Sequence, residues 1–270
     1  MLKDKKIVVI GAGTMGKALV KGLLDSGQVN KIVAVERNKK YADRAQSELT
    51  IPVCCHPESV NHIKDADIIV LCIKPQDIEN FLTSVKEILK PETLIISIAA
   101  GISTKLIEGQ LQSENPVIRA MPNTPCLIRE GMIVVCRGLN AGNGHINIAQ
   151  ILFSSLGECI ELEEKLMNAV TGLSGSGPAF IYLIIEALSD GGVMEGIPRK
   201  VATRLVAKTL LGAAKMVLDT GKHPAELKDD VSTPAGCTIG AILSLEDGRI
   251  RSVLARSVQE ASRIAANLGT

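Results

Sequence analysis

The sequence predicts an α/β domain built on a mostly parallel sheet, followed by an all-helical domain. Three observations carry that reading. Over residues 1–164, short apolar runs alternate with amphipathic stretches. A strand covered on both faces reads as a continuous apolar run, and helices between such strands do the covering. Beyond 164 the strand-like runs stop and long helical patterns continue to the end of the sequence. A glycine-rich turn, Gly11-Ala12-Gly13-Thr14-Met15-Gly16, joins the first strand to the first helix. The expected domains are therefore 1–164 and 165–270.

Strands are expected at 6–10, 32–35, 53–55, 68–73, 94–98 and 117–120, with helices at 15–24, 40–49, 78–89 and 104–111 between them. Runs at 133–136 and 159–162 flank a helix near 146–156 and are expected to extend the same sheet. In the second domain, helices are expected at 178–195, 198–219, 237–245 and 250–268. Gly196-Ile197-Pro198, Gly221 and Asp247-Gly248 punctuate them.

Composition narrows the function. Apolar residues make up 46% of the 270 positions, enough for a sizeable core. There are two Tyr, three Phe and no Trp, so stacking platforms for bases are nearly absent. The net charge is +1 with the signs interspersed, which speaks against a nucleic-acid or membrane-surface partner. The longest apolar run of the helical half, 179–185, is short for a membrane span. The opening residues read as a charged stretch and then a strand, not as a signal peptide. Seven Cys without a CxxC pair fit a reducing, cytoplasmic setting, with thiols that pack. His56, His62, His145 and His223 lack metal-ligand spacing and are expected to be surface or packing residues, so no metal is expected.

The glycine turn is the strongest local signal. A GxGxxG string between a strand and a helix is the dinucleotide-binding fingerprint of the Rossmann fold. The first glycine makes the turn, the second lets pyrophosphate approach, and the third packs helix on strand. The helix start offers free N–H groups to phosphate. Glu36, at the end of the second strand, stands where an acid binds the adenosine ribose, which favours NAD(H). Arg37, Lys39 and Lys40 stand where cations would hold a 2′-phosphate, which favours NADP(H). Two later loops, Ile73-Lys74-Pro75 and Ala99-Ala100-Gly101, follow strands and are expected to reach the same crevice near the nicotinamide.

The helical half is apolar on too many faces for a domain of its size. Residues 180–185, 205–207 and 210–214 need a cover, and a second copy of the chain is the natural one. Two clusters of small and hydroxyl residues, 172–178 and 232–238, are expected at helix starts, where they would either cap the helix or bind an anion.

Those clusters carry a resemblance. Asp230-Val231-Ser232-Thr233-Pro234-Ala235-Gly236-Cys237-Thr238-Ile239-Gly240-Ala241-Ile242 closely resembles the signature of the pyrroline-5-carboxylate reductase family. Gly172-Leu173-Ser174-Gly175-Ser176-Gly177-Pro178, Met121-Pro122-Asn123-Thr124-Pro125 and the Lys74-Pro75 turn are also similar, and the likeness runs over essentially the whole chain. It implies a dinucleotide-binding domain plus a helical dimerisation domain, acting as a homodimer or an oligomer of dimers. It implies hydride transfer from NADP(H), with NAD(H) as the alternative, to the imine carbon of 1-pyrroline-5-carboxylate, giving L-proline. Glu36 departs from the small or amide residue often found there and leaves the cofactor choice open.

The resemblance further implies a substrate carboxylate held by the backbone N–H groups of Gly236, Cys237 and Thr238, assisted by Thr233 and Ser232. The Thr238 hydroxyl is then set toward the ring nitrogen, and Asn123 joins the cofactor contacts. A β-hydroxyacid dehydrogenase shares the two-domain plan, but the positions of its acid/base Lys and its Asn are held here by Ile181 and Ile185. A non-catalytic dinucleotide sensor would need no carboxylate pocket.

Overall fold

In the computed structural model, which describes residues 2–55, 58–112 and 114–268, eight strands form one sheet. The first unit runs β1 (Lys6–Ile10), α1 (Thr14–Ser26), β2 (Lys31–Val35), α2 (Lys39–Glu48), β3 (Val53–Cys54), α3 (Ser59–Lys64) and β4 (Ile68–Leu71). It continues with α4 (Pro75–Val85), β5 (Leu94–Ser97), α5 (Thr104–Gln110), β6 (Val117–Met121), β7 (Gly131–Arg137), α6 (Asn143–Phe153), β8 (Gly157–Glu161) and α7 (Met167–Val170). The strand order is β3-β2-β1-β4-β5-β6-β7-β8. All neighbours are parallel except β6 and β7, so the last two strands extend the sheet in the opposite direction.

The two-residue period of a strand explains the layering. Ile7 and Val9 belong to a core with Leu19 and Leu23 of α1 and Leu152 and Phe153 of α6. Val8 and Ile10 belong to a second core with Ile63 of α3, Ile78 and Leu82 of α4 and Ile107 of α5. Burial of each such side chain is worth roughly 1.5–3 kcal/mol, so alternate residues of β1 hold helices to opposite faces.

Helix starts differ from the expectations in an instructive way. α4 begins at Pro75, three residues before the expected position, because proline is well suited to a first helical turn. The cluster 172–178 leads into a helix that starts at Gly177, as expected, but its first residues are themselves helical. Residues Thr171–Gly175 form a π turn, closed by Ser176 N–H donating to the Thr171 carbonyl at 2.8 Å. The Thr171 hydroxyl donates back to the Met167 carbonyl at 2.9 Å, and such back-bonding loosens a helix.

By packing, the compact units are Met1–Ser176 with Gln259–Thr270, and Gly177–Val258. Met167 and Val170 of α7 are buried with Met121, Val134 and Cys136 of the sheet. The second unit holds α8 (Gly177–Met194), α9 (Arg199–Thr220), α10 (Pro224–Asp230), α11 (Cys237–Asp247) and the first half of α12 (Ile250–Asn267). The short α10 was not expected. By length and composition alone, the helical run Glu164–Met194 suffices to cross a membrane, although the sequence reading found only a short apolar run there. Gly, Ala, Ser and Thr between the larger residues extend it without adding charge.

Candidate functional site: a dinucleotide crevice and the start of α11

The strand order reverses between β1 and β4, which opens a crevice at their C-terminal ends. Gly11 N–H donates to the Val35 carbonyl at 2.7 Å and Cys72 N–H to the Ile10 carbonyl at 2.7 Å, fixing the turn. Gly11 has φ +99°, and a Cβ there would lie 2.6 Å from the Cys72 carbonyl oxygen, so only glycine fits. A Cβ at Gly16 would fall on the Gly11 carbonyl. A Cβ at Gly13 would meet nothing within 4 Å: here the turn leaves open space. Gly13 also caps α1 without a side-chain hydrogen bond, so the first N–H groups of the helix are free for a phosphate. Thr14 is exposed at this tip, whereas Ala12 is buried and Met15 packs against the core.

Glu36 lies beside the turn, half-buried. Its Oε2 accepts from Ala12 N–H at 3.2 Å and its Oε1 from Asn38 N–H at 3.3 Å. Arg37 is exposed and pairs with Asp77 at 3.0 Å. Sequence reasoning missed Asp77; an acid in the first turn after Pro75 was the available signal. In the next loop Lys74 is exposed at the start of α4 while Ile73 packs into the core. In the loop after β5, Ala99 is buried, Ala100 packs beside Met121, and Gly101 turns with φ +80°.

Asn123 is engaged at both ends of its amide, donating to the Ser174 carbonyl at 3.2 Å and accepting from Met132 N–H at 3.0 Å. A second lock, also missed, centres on Arg119, 3% exposed on β6. Its guanidinium donates to Asn168 Oδ1 at 2.9 Å and lies 3.7 Å from the Glu164 carboxylate. Glu164 in turn accepts from the N–H and the hydroxyl of Thr104, at 2.7 and 2.6 Å. A lone arginine inside an apolar strand was the signal. These contacts tie β6, the start of α5 and α7 together.

In the helical unit, Gly236 caps α11 without a side-chain hydrogen bond, and Ala235 before it has φ +57°. A non-glycine residue there is a strained conformation of the kind that collects at functional sites. Gly236 N–H donates to the Thr233 carbonyl at 3.0 Å, so it is not free for an anion as expected; the turn itself uses it. Any side chain at Gly236 would fall on Thr233 Oγ1. The Ser232 hydroxyl donates back to the Lys228 carbonyl at 2.7 Å, so its proton is also engaged. The N–H groups of Cys237, Thr238 and Ile239 open the helix and have no intrahelical partner. Thr238 is half-buried, and among the described residues its hydroxyl has no partner.

The histidines do other work. His145 accepts from Gly142 N–H at 3.0 Å and His223 from Ala225 N–H at 3.2 Å, both at helix starts. His62 Nδ1 is buried without a partner among the described residues, and His56 lies outside them. Among the described residues no group of three or more His, Cys, Asp or Glu is placed to hold a metal.

A glycine turn shaped for pyrophosphate on a doubly wound sheet, followed by a helical unit with a strained, uncapped helix start, defines a two-part dinucleotide-dependent oxidoreductase. Comparison with known proteins makes the class specific. Residues 164–268 match the pyrroline-5-carboxylate reductase dimerisation family, and residues 6–101 match the family described as NADP oxidoreductase, coenzyme F420-dependent. The chain is 42% identical to the pyrroline-5-carboxylate reductase of Methanosarcina acetivorans, covering 99% of each chain. It is 41% identical to that of Schizosaccharomyces pombe, covering 97% of this chain and 98% of the relative. The NADP-bound crystal structure of Plasmodium falciparum pyrroline carboxylate reductase superposes with a TM-score of 0.90 at 30% identity, covering 100% of both chains. The chain belongs to the pyrroline-5-carboxylate reductase family.

Proposed function

We propose that this chain reduces 1-pyrroline-5-carboxylate to L-proline, the last step of proline biosynthesis, as an NAD(P)H-dependent reductase. The observation that carries the reading is the start of α11. The N–H groups of Cys237, Thr238 and Ile239 open an uncapped helix, and a hydroxyl with no partner among the described residues lies among them. That is a binding site for a small carboxylate with one polar neighbour.

The first unit fits a dinucleotide. The open space at Gly13 and the uncapped start of α1 suit the pyrophosphate, and Glu36 stands at the ribose position. NADP(H) is the family expectation, given the NADP held by the Plasmodium falciparum relative, and NAD(H) is the alternative. When bound, the dihydronicotinamide supplies the hydride that ends on the imine carbon. The residues of the chain supply position: the α11 N–H groups hold the substrate carboxylate, and Thr238 Oγ1 orients the ring nitrogen. A protonated imine is already electrophilic and brings its own proton, so orientation is the main requirement. Thr233 keeps its hydroxyl over Gly236 and shapes the turn. Ser232 contributes only its lone pairs.

Two further readings belong to the same proposal. The chain works as a homodimer, because α8, α9 and α11 expose Leu183, Leu205, Leu211 and Leu243 in the single chain. The protein is cytoplasmic, in keeping with its seven free thiols. The decisive experiment follows NADPH and NADH oxidation on addition of pyrroline-5-carboxylate, with proline identified as product. A folded protein that binds dinucleotide yet shows no substrate-dependent oxidation overturns the proposal.

A further inference from the structure

The sequence sets Glu36 against Arg37, Lys39 and Lys40 at the ribose corner, and the structure separates them. The Glu36 carboxylate sits between two backbone donors, Ala12 N–H at 3.2 Å and Asn38 N–H at 3.3 Å. Converging backbone N–H groups at a strand–turn–helix corner form an anion site. In this chain a resident carboxylate already occupies it. A 2′-phosphate approaching the corner would find those donors engaged and a negative charge in their place. A free ribose diol would find carboxylate lone pairs ready to accept its hydroxyl protons.

The cations do not offset this. Arg37 is drawn to Asp77 at 3.0 Å, which brings a second carboxylate to the residue best suited to a phosphate. Lys39 pairs with Asp43 at 3.0 Å. Lys40 is exposed at the start of α2, where its backbone N–H donates to Asn38 Oδ1 at 3.0 Å. Glu36, Asp77 and Asp43 thus stand against the three cations, while a 2′-phosphate would add close to two further negative charges.

We infer that Glu36, held by Ala12 and Asn38, selects a dinucleotide with a free ribose 2′-hydroxyl, so that this chain favours NADH over NADPH. The inference deepens the proposed reductase function by naming the hydride donor, and it rests on that function only for turnover, not for binding. It is a property of this corner in this chain, whatever cofactor a relative holds.

The test is a pair of fluorescence titrations, NADH and NADPH, without substrate, on the wild-type chain and on Glu36→Gln, Glu36→Ser and Arg37→Ala. Wild type is expected to bind NADH at least about tenfold more tightly, the effect of one repulsive contact near a protein surface. Glu36→Gln keeps the shape and an acceptor for Ala12 while removing the charge. It should raise NADPH affinity about tenfold and change NADH affinity far less. Glu36→Ser frees both N–H donors and should raise NADPH affinity at least as much. Arg37→Ala should leave the NADH preference in place. Wild-type preference for NADPH, or equal shifts for both dinucleotides in Glu36→Gln, overturns the inference. A chain that prefers NADH but does not turn over pyrroline-5-carboxylate overturns the reductase proposal alone. A chain that turns over with NADPH preferred overturns the inference alone, and one that binds neither dinucleotide overturns both.

Discussion

The amide of Asn123 donates to the carbonyl oxygen of Ser174 at 3.2 Å, across 51 positions of sequence, and its other end accepts from Met132 N–H at 3.0 Å. One side chain thus joins the loop after β6, β7 and the π turn. Asn123→Ala leaves a part-buried carbonyl and a part-buried N–H without partners, at about 1–3 kcal/mol each. The expected result is a clearly lower melting temperature with dinucleotide affinity within a few-fold of wild type. A collapse of affinity at an unchanged melting temperature would instead make Asn123 a direct cofactor contact, as its sequence motif implies.

Gly13 and Gly16 should separate binding from folding. A Cβ at Gly13 meets no protein atom, so Gly13→Ala is expected to fold with wild-type stability and lose dinucleotide affinity by tenfold or more, because the methyl group enters the pyrophosphate space. A Cβ at Gly16 collides with the Gly11 carbonyl, so Gly16→Ala is expected to lower stability first. Melting curves and binding titrations on both variants check the contrast. Equal behaviour of the two would mean that the phosphates do not lie over Gly13.

Most of the sheet was legible because its strands are continuous apolar runs, and the glycine turn was legible because backbone geometry restricts it to glycine. What the sequence hid was pairing. Arg37 reads as a phosphate ligand until Asp77, forty positions away, is seen to hold it. Ser232 reads as a carboxylate donor until its hydroxyl is found donating to the Lys228 carbonyl. The π turn at Thr171–Gly175 was hidden for a related reason. Small and hydroxyl residues suit a helix start and a widened helix equally well, and only the Ser176-to-Thr171 bond decides.

Cys136 gives a pH dependence with a definite sign. Burial pushes its thiol up to about 12, and the Glu164 carboxylate adds to the rise. An unfolded thiol ionises near 8.5. Above about pH 8.5 the unfolded chain therefore loses a proton that the folded chain keeps until about 12, so stability falls as pH rises through that window. Below it this thiol contributes no slope. Melting temperature plotted from pH 8.5 to 11 is expected to fall less steeply in Cys136→Ala than in wild type, whatever the offset between the curves. Parallel slopes would show that the thiol is not protected by the fold.

The exposed leucines of the helical unit offer a test of the proposed homodimer. Leu205 is 54% and Leu211 59% exposed on α9 in the single chain. A charge at either position would have to be buried unpaired in an apolar interface, at a cost of several kcal/mol. Leu211→Asp is expected to shift sedimentation from dimer to monomer at micromolar concentration, with circular dichroism showing the helices retained. A wild-type chain that sediments as a monomer would contradict the dimer directly.

Thr238 is the most specific position. The hydroxyls of Thr203, Thr209 and Thr220 each donate back to a carbonyl one turn earlier in α9, at 3.1, 2.9 and 2.6 Å. Thr238, second residue of α11, makes no such bond, and the helix start beside it has no side-chain cap. A half-buried hydroxyl left without a partner among the described residues is available to a ligand. Thr238→Val keeps β-branching and volume and leaves the N–H groups of Cys237, Thr238 and Ile239 in place. Because no protein hydrogen bond is removed, the melting temperature is expected to stay within about 1–2 °C of wild type. If the hydroxyl orients the ring nitrogen as it becomes an amine, one hydrogen bond is lost mainly in the transition state. Turnover should then fall about 5- to 150-fold, corresponding to about 1–3 kcal/mol, with a smaller change in apparent substrate affinity. Thr238→Ser restores the hydroxyl and should recover much of the turnover. Wild-type turnover in Thr238→Val would remove the hydroxyl from the reaction and leave the substrate held by backbone N–H groups alone.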